Sequence, residues 1–372
     1  MSARFTWAEV DAAAITHNAR VLKARAGRAE LLAVVKAFGY GHGAVGAAEA
    51  ALAGGATWLG VALVEEGEVL RRAGITAPLL VLSEPRPSAM RTVVASDLRP
   101  TVYTEEGVEA AVKAAAGLPA PLRVHVKVDT GMHRVGATPD AAVELARAVA
   151  GRPELHLEGL FTHFAVADQP ERADHTAGQV ARLREVAARL AALGVRPDLL
   201  HAANSAGLLA HPDARLDLVR CGIALYGLAP ALAMAGLADL RPALSLKAEV
   251  SFVKPLAAGE AASYGLCWAA PADTVVATVP IGYADGVPRS YGVRGGQVLV
   301  GGLRCPVVGT VTMDQLLVDC GPRSRVSRGD ECVLIGRQGD EEVTAWEWAE
   351  RVGTIAYEVV CGLSSRVPRL WS

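Results

Sequence analysis

The first residue in this sequence whose position suggests chemistry is Lys36, which directly follows the apolar run at residues 31–35. A buried ammonium group is costly, so a lysine at the end of an apolar strand usually extends its charge to solvent. It can instead be held as an amine of lowered pKa, the state in which lysine joins covalently to carbonyl compounds. The residues alone leave these two interpretations evenly matched.

Polar residues follow several later apolar runs in the same way. They bring cationic and polar side chains and exposed backbone N–H groups, namely Lys127, Arg134, His163, Asn204, Ser205, Arg220, Gly222 and Ile223. Ser205 at the opening of a helical stretch and the N–H groups of Gly222 and Ile223 suit a phosphate anion. The 9 histidines are scattered and form no cluster with metal spacing, so no metal is expected.

The elements that must position these side chains are short apolar runs alternating with alanine-rich helical stretches. The runs lie at residues 31–35, 58–61, 79–82, 98–102, 122–128, 155–161, 199–203 and 216–219. Strands that each lead into a helix imply parallel pairing, and eight of them close a barrel. We therefore predict an α/β protein with an N-terminal (β/α)8 TIM-type barrel whose site lies at the C-terminal strand ends. An open doubly wound sheet is the alternative, although no Gly-x-Gly-x-x-Gly turn follows the first strand.

The pattern changes near residue 240, where helical stretches give way to strands separated by Gly and Pro. We predict a barrel domain at residues 1–240 and a mainly β domain at 241–372, with strands at 244–253, 274–279, 297–300, 307–311, 316–319 and 332–335. The first strand, at residues 5–10, is a candidate to pack on the second domain. Three loops of the second domain carry polar tips, which contain Tyr264, Tyr283 and the Met313-Asp314 pair.

Composition excludes several classes of protein. The 37 Lys and Arg against 39 Asp and Glu give a net charge of −2, so nucleic acid is not an expected partner. No apolar run is long enough to span a membrane, and residues 1–11 carry no secretory signal. The 6 cysteines form no CxxC pair and fit a reducing compartment, so we expect a cytoplasmic protein.

The order and spacing of these motifs resemble the alanine racemase family, whose PLP-lysine signature is similar to residues 33–43. The resemblance covers essentially the whole chain. It implies a pyridoxal 5'-phosphate (PLP) enzyme that works as a homodimer with composite active sites. The implied reaction interconverts L-alanine and D-alanine by a two-base mechanism and supplies D-alanine for cell-wall peptidoglycan.

The resemblance also implies roles for individual residues. Lys36 would carry PLP, and Tyr264 of the other subunit would be the second base. Arg220 would bind the pyridine nitrogen, and His163 would link Tyr264 to Arg220. The other residues implied at the cofactor are Tyr40, Asn204, Ser205, Gly222, Ile223 and Tyr357.

The remaining implied residues concern the substrate. Arg134 would contact the substrate carboxylate, and the backbone N–H of Met313 would do so from the partner subunit. Lys127 resembles a lysine that is often carbamylated and positions that arginine. Asp314, Tyr283 and Arg289 are the implied supporting residues, of which the last two would line the entrance.

Three positions depart from the family pattern. Phe38 stands where Asn or Asp is usual, Cys221 where Pro is usual, and His133 where Gly is common. These departures leave open a racemase of another small amino acid such as serine. A PLP amino-acid decarboxylase on the same barrel would not need Tyr264, and a PLP carrier without turnover would not need the second domain.

Overall fold

The computed structural model describes residues 4–372, which form two compact units. The barrel unit comprises Ala13–Gly39 and Ala44–Arg241. The sheet unit comprises residues 4–12, Tyr40–Gly43 and Pro242–Ser372. Strand β1 (Thr6–Val10) belongs to the sheet unit and precedes the barrel in the chain.

The barrel unit is a closed ring of eight parallel strands that pair in chain order. The strands are β2 (Glu30–Val34), β3 (Trp58–Val61), β4 (Leu79–Val81), β5 (Arg99–Val102), β6 (Leu122–Lys127), β7 (Leu155–Phe161), β8 (Leu199–His201) and β9 (Leu218–Cys221). The ring closes where β2 pairs with β9, for example at Leu32 and Arg220. This closure confirms the predicted barrel and excludes the open sheet.

Helix α1 (Ala12–Ala26) precedes the first barrel strand, and further helices connect the barrel strands. The connecting helices are α2 (Lys36–Tyr40), α3 (Ala44–Ala53), α4 (Val64–Arg72), α5 (Met90–Ala95), α6 (Glu105–Ala115), α7 (Pro139–Ala150), α8 (Ala173–Ala192) and α9 (Ser205–Ala210). Side chains at three N-caps set where helices begin. Thr104 accepts a hydrogen bond from the N–H of Gly107 at 2.9 Å, and Thr138 and Asn204 cap α7 and α9 in the same way.

The sheet unit is built on a 10-stranded sheet. Its further elements are β10 (Leu244–Glu249), β11 (Phe252–Leu256), β12 (Ala261–Ala262), β13 (Trp268–Ala269), β14 (Thr274–Val279), β15 (Gln297–Val300), β16 (Leu303–Val308), β17 (Leu316–Asp319), β18 (Glu331–Gln338), β19 (Glu341–Val343), α10 (Ala345–Val352), α11 (Ala356–Cys361) and β20 (Arg369–Trp371). The strand order is β11-β14-β17-β16-β15-β18-β10-β1-β20, with β19 on β18 and a separate β12-β13 ribbon. Nearly all of these pairs are antiparallel, as the sequence predicts for a mainly β domain.

Three predicted strands of this unit have different bounds, and one of them, at 332–335, is observed as the longer strand Glu331–Gln338. The run at 244–253 is two strands, because the chain leaves β18 and β1 after Glu249 and pairs next with β14. The run at 307–311 stops at Val308, because Gly309 adopts φ +67° and turns the backbone out of the strand. The predicted barrel strands lie within two residues of the observed ones. None of the helices in residues 4–372 is long and apolar enough to cross a membrane.

Candidate active site

Lys36 follows β2 and begins a short turn with left-handed backbone. Ala37, Phe38 and Gly39 have φ values of 52°, 55° and 61°. Left-handed helix costs roughly 1–2 kcal/mol for each residue with a side chain. The N–H of Ala37 donates to Glu66 Oε1 at 2.6 Å, which helps to hold the turn. Lys36 is therefore presented at the strand end by a strained segment that its surroundings stabilise.

The left-handed turn also explains why Asn or Asp is usual at the position of Phe38 in the family. Asn and Asp are the side-chain-bearing residues that adopt this conformation most readily, whereas a bulky residue is strained there. Phe38 takes that strained position with 56% of its surface exposed. His133 is a parallel case, since it adopts φ +55° where Gly is common in the family.

Lys127, at the end of β6, is buried among other cations. Burial, together with the charges of Arg220, Arg134 and Lys36, lowers its pKa from 10.5 to about 7, against a smaller opposing effect of Asp129. Its Nζ donates to the carbonyl of Leu82 at 3.3 Å. This lysine is therefore an amine that is partly uncharged near neutral pH.

Arg220, on β9, is 3% exposed and is held from several sides. Its Nη1 donates to His201 Nδ1 at 3.0 Å, and its Nη2 to the carbonyls of Thr162 at 2.7 Å and Ala202 at 2.9 Å. Within residues 4–372, Nε donates to no protein acceptor. The guanidinium is thus fixed in place, and its Nε–H is left for a ligand.

His163 lies beside this guanidinium. Its Nδ1 is 3.2 Å from Arg220 Nη2, and because arginine can only donate, Nδ1 must accept and the ring proton must sit on Nε2. Burial holds the pKa of His163 well below its usual range, and the charges of Arg220 and Lys127 lower it further. The imidazole is therefore neutral, with Nε2–H as its donor.

The loop that carries Arg134 is organised by Asp129. Asp129 Oδ1 accepts the N–H groups of Gly131 at 3.0 Å, Met132 at 3.1 Å and His133 at 3.0 Å. Burial alone would raise the pKa of Asp129, but these backbone donors and the His133 side chain lower it below its usual range. Arg134 itself is exposed at the end of this loop.

Ser205 and Gly222 are brought together although they stand on different strand–helix connections. Ser205 Oγ accepts the N–H of Gly222 at 3.1 Å and that of Ala224 at 3.4 Å. The N–H of Ile223, between them, donates to no acceptor in the described part of the chain. Asn204 uses its side chain to cap α9 through the N–H of Gly207 at 2.9 Å. A hydroxyl and adjacent N–H groups at one point can bind an anion.

The sheet unit pairs two further predicted residues. The rings of Tyr40 and Tyr357 lie 6.3 Å apart at an angle of 50°. They are distant in sequence, and the family resemblance assigned both of them to the phosphate of the cofactor.

Cys221, the third departure from the family pattern, is a buried residue of β9. Burial raises the pKa of its thiol to about 12.

Tyr264 occupies a tight turn after β12. Ser263 and Leu266 adopt φ 68° and 47°, and Thr310 Oγ1 donates to the carbonyl of Tyr264 at 3.2 Å. The side chain of Ser263 donates to the carbonyl of Thr310 at 2.6 Å. In the single chain, Tyr264 is 71% exposed. The fold therefore fixes the backbone of this tyrosine and leaves the residue largely exposed.

The other two polar loops of the sheet unit contact each other. The N–H of Tyr283 donates to the carbonyl of Thr312 at 3.0 Å, and that of Ala284 to Met313 at 3.1 Å. Asp314 is 2.7 Å from Arg366 Nη2. The N–H of Met313 donates to no acceptor in residues 4–372, and Arg289 is an exposed residue near Tyr283 in sequence.

His125 and Glu158 belong to no sequence motif identified above, yet they form a buried network with Arg220 through His201. One signal was present. Residues 123, 125 and 127 are polar at alternate positions of β6, which places them on one side of the strand. A fully buried histidine between two apolar neighbours indicates a polar partner inside the barrel.

Comparison with known proteins agrees with this geometry. The family model "Alanine racemase, N-terminal domain" matches residues 10–230 and "Alanine racemase, C-terminal domain" matches residues 243–371. A curated relative named alanine racemase from Symbiobacterium thermophilum is 50% identical over 368 residues, covering 99% of this chain and 97% of the relative.

Solved structures agree as well. The alanine racemase of Streptomyces lavendulae shares 38% identity at a TM-score of 0.94, covering 100% of this chain and 98% of that one. A histidine racemase from Leuconostoc mesenteroides shares 31% identity at a TM-score of 0.91, covering 100% and 99%. The resemblance drawn from the sequence motifs is confirmed.

Proposed function

The chain belongs to the alanine racemase family, and we propose that it interconverts L-alanine and D-alanine with PLP as its cofactor. The observation that carries the proposal is Lys36 at the end of β2, in one electrostatic cluster with Lys127, Arg134 and Arg220. Such a cluster suits a ligand that carries a phosphate and a carboxylate.

The residues of the barrel unit fit PLP. The free Nε–H of Arg220 can donate to a pyridine nitrogen, which accepts but need not carry a proton. Ser205, Gly222 and Ile223 offer a hydroxyl and backbone N–H groups to a phosphate. Asn204 supports that loop, and Tyr40 and Tyr357 are the phosphate-binding phenols that we propose from the sheet unit.

Racemisation requires an acid or base on each face of the substrate carbon. When bound, PLP supplies the electron sink that makes the Cα proton of an amino acid removable. The Lys36 amine takes or returns the proton on one face. The Tyr264 phenol does the same on the other face, so that a proton lost from one side is replaced from the opposite side.

Two residues tune this pair in our proposal. Arg220 cannot release its proton, so it holds the ring nitrogen by donation alone. His163 accepts from Arg220 at Nδ1 and has Nε2–H free to donate to the Tyr264 phenol oxygen. That hydrogen bond would stabilise the phenolate form of the second base.

The substrate carboxylate is bound by Arg134 and by the N–H of Met313 of the other subunit in this proposal. Lys127 supports Arg134 as a carbamate. Its uncharged Nζ adds to the carbon of carbon dioxide and releases one N–H proton, and a pKa of about 7 supplies that uncharged form. The resulting anion lies among arginines rather than adding one more cation to them. Asp314, Tyr283 and Arg289 support and line the approach.

We propose a homodimer in which each subunit completes the other's site. Tyr264 is 71% exposed and Met313 is 52% exposed in the single chain, which leaves both free for a second copy. Twofold pairing creates two such sites at once. Mixing inactive Lys36→Ala and Tyr264→Phe chains should then restore about a quarter of wild-type activity, because half the dimers are mixed and each has one intact site. No recovery on mixing would mean that both residues act within one chain.

The product D-alanine would serve peptidoglycan synthesis, and we place the enzyme in the cytoplasm. The six cysteines are all free thiols, which fits a reducing compartment. A racemase of another amino acid is the second candidate, since a protein named histidine racemase shares the whole fold at 31% identity. A screen of small L-amino acids decides between them, with L-alanine expected to turn over fastest.

The cofactor and the reaction have separate tests. Borohydride reduction of the purified protein should fix the chromophore on Lys36, located by peptide mapping, and the circular dichroism of L-alanine should decay to zero. Labelling of another residue would refute the cofactor assignment. Release of carbon dioxide would instead indicate a decarboxylase.

A further inference from the structure

A chain of hydrogen bonds runs from Arg220 into the interior of the barrel. Arg220 Nη1 is 3.0 Å from His201 Nδ1, His201 Nε2 is 3.0 Å from His125 Nδ1, and His125 Nε2 is 3.1 Å from Glu158 Oε2. We propose that Glu158 and His125 are positioning residues that, through His201, lock the guanidinium of Arg220 in one orientation. The effect on catalysis rests on the proposed function, in which Arg220 holds the ring nitrogen of the cofactor.

The direction of every hydrogen bond in this chain follows from its two ends. Arg220 can only donate, so His201 Nδ1 accepts and His201 carries its proton on Nε2. His201 Nε2–H then donates to His125 Nδ1, and His125 Nε2–H donates to Glu158. A carboxylate accepts, so the far end agrees with the near end. Each imidazole is therefore neutral and in a single tautomer.

The surroundings of the two histidines favour the neutral form. Both rings are fully buried, and burial lowers the pKa of each, with the charge of Arg220 lowering it further. Glu158 raises the pKa of His125, but burial outweighs it and the net pKa is lowered. In an imidazolium, Nδ1 also carries a proton. That N–H would face the N–H of Arg220 in the case of His201, or the Nε2–H of His201 in the case of His125. The chain is therefore consistent only when both rings are uncharged.

The cavity for His125 is provided by a glycine on the neighbouring strand. His125 pairs with Gly159 in the register of β6 and β7, and a Cβ at position 159 would lie 2.1 Å from His125 Nδ1. The ring of Phe161 stacks on His201 at 4.6 Å and 5°, and Arg220 Cζ lies 5.2 Å from the centre of the same ring. The glycine and the surrounding rings thus allow the hydrogen-bonded side chains only one arrangement.

Glu158 brings the negative charge for this interior. Its side chain is 7% exposed, with Arg99 Nε at 3.4 Å and Arg123 Nη1 at 3.6 Å. A carboxylate serving only these arginines would be an ordinary ion pair. The hydrogen bond to His125 links it instead to Arg220, which has no carboxylate partner among the residues the structure describes.

The consequence concerns the free N–H of Arg220. If His201 lost its partner, it could place a proton on Nδ1 and present a donor to Arg220 Nη1. The guanidinium would then shift, and with it the Nε–H that we assign to the cofactor. Misplacing such a group by about 1 Å lowers turnover on the order of 10²-fold.

The tautomers can be read directly in the purified full-length protein. Long-range ¹H–¹⁵N correlation spectra of histidine-labelled protein distinguish a proton on Nε2 from one on Nδ1 and from an imidazolium. We expect His125 and His201 to be protonated on Nε2 alone, with assignments from His125→Phe and His201→Asn. A proton on Nδ1 of either ring would overturn the proposal, whether or not the protein racemises alanine.

Variants separate the hydrogen-bond chain from general stability. Glu158→Gln keeps an acceptor for His125, so both tautomers and turnover should persist within a few-fold. Glu158→Leu and Gly159→Ala remove the acceptor or the space, and should lower kcat about 10²-fold and shift the absorbance of bound PLP. Thr101→Val is the matched control, because Thr101 neighbours His125 in register and its buried hydroxyl bonds only the carbonyl of Val81.

If Glu158→Leu matches Thr101→Val in kcat and in the cofactor spectrum, the chain is only structural and the proposal is wrong. Failure of the proposed function has a different signature. The wild-type protein would then bind no PLP or leave L-alanine unchanged, while the tautomer spectra would still decide whether the chain orients Arg220.

Discussion

Replacing Lys127 with Met should make the protein more stable at neutral pH, and the gain should disappear as the pH rises. The amine titrates at about 7 in the folded chain and at 10.5 in the unfolded chain. Between these values the unfolded state binds a proton that the folded state does not, so wild-type stability rises with pH. Conversely, the wild type loses stability as the pH falls from about 10.5 to about 7, and this contribution does not change further below pH 7.

The size of the effect follows from the same values. The fall from 10.5 to about 7 corresponds to about 5 kcal/mol at roughly 1.4 kcal/mol per tenfold change in proton affinity. Residual solvent access to the amine reduces this to about 3–5 kcal/mol. Between pH 7 and 9, the difference in free energy of unfolding between Lys127→Met and wild type should shrink by about 2 kcal/mol.

Urea unfolding of both proteins from pH 6 to 9, in buffers free of carbon dioxide, measures this difference. Lys113→Met, an exposed position on α6, controls for the exchange of lysine for methionine. Adding bicarbonate at pH 8 should stabilise the wild type and leave Lys127→Met unchanged, because only the wild type can form the carbamate. Parallel stability curves for wild type and Lys127→Met would refute both the lowered pKa and the carbamate that depends on it.

Other predictions concern the strained turn and the second base. Phe38→Asn should raise the free energy of unfolding by roughly 1 kcal/mol, because Asn adopts φ +55° with less strain. Phe38→Val should lower it, since a β-branched residue fits that conformation worse, and equal melting temperatures for both variants would contradict the strain argument. Tyr264→Phe should slow the exchange of the Cα proton of L-alanine into deuterated solvent far more than that of D-alanine. Equal loss from both enantiomers would show that the phenol does not act on one face alone.

The sequence predicts the barrel well because each strand there is a local signal. A short apolar run and the helix after it are contiguous in the chain, so β2 to β9 appear from periodicity alone. The strand at 244–253 is mispredicted because its break depends on partners far away in sequence. Nothing in its own residues shows that it leaves β18 and then pairs with β14.

The residues of the candidate site also differ in whether a local sequence signal predicts them. Lys36 and Ser205 follow strand ends and were found by position, and Tyr264 by resemblance to the family. The role of Phe38 needed the backbone, because only φ shows why that position favours Asn or Asp. Glu158 was missed because it is a single charge within an apolar strand, and its partner His125 comes from another strand.

The pairing of β2 with β9 has a consequence for how the protein matures. These strands stand at opposite ends of the barrel sequence, so their contact closes the longest loop and is expected to form late. Lys36 follows one of them and Arg220 lies on the other. In the proposed function these two residues hold PLP, so a nascent chain whose ring is not yet closed would lack one of its two main contacts to the cofactor. Binding of the cofactor would then occur only after the barrel has closed, and by mass action it would stabilise the closed barrel.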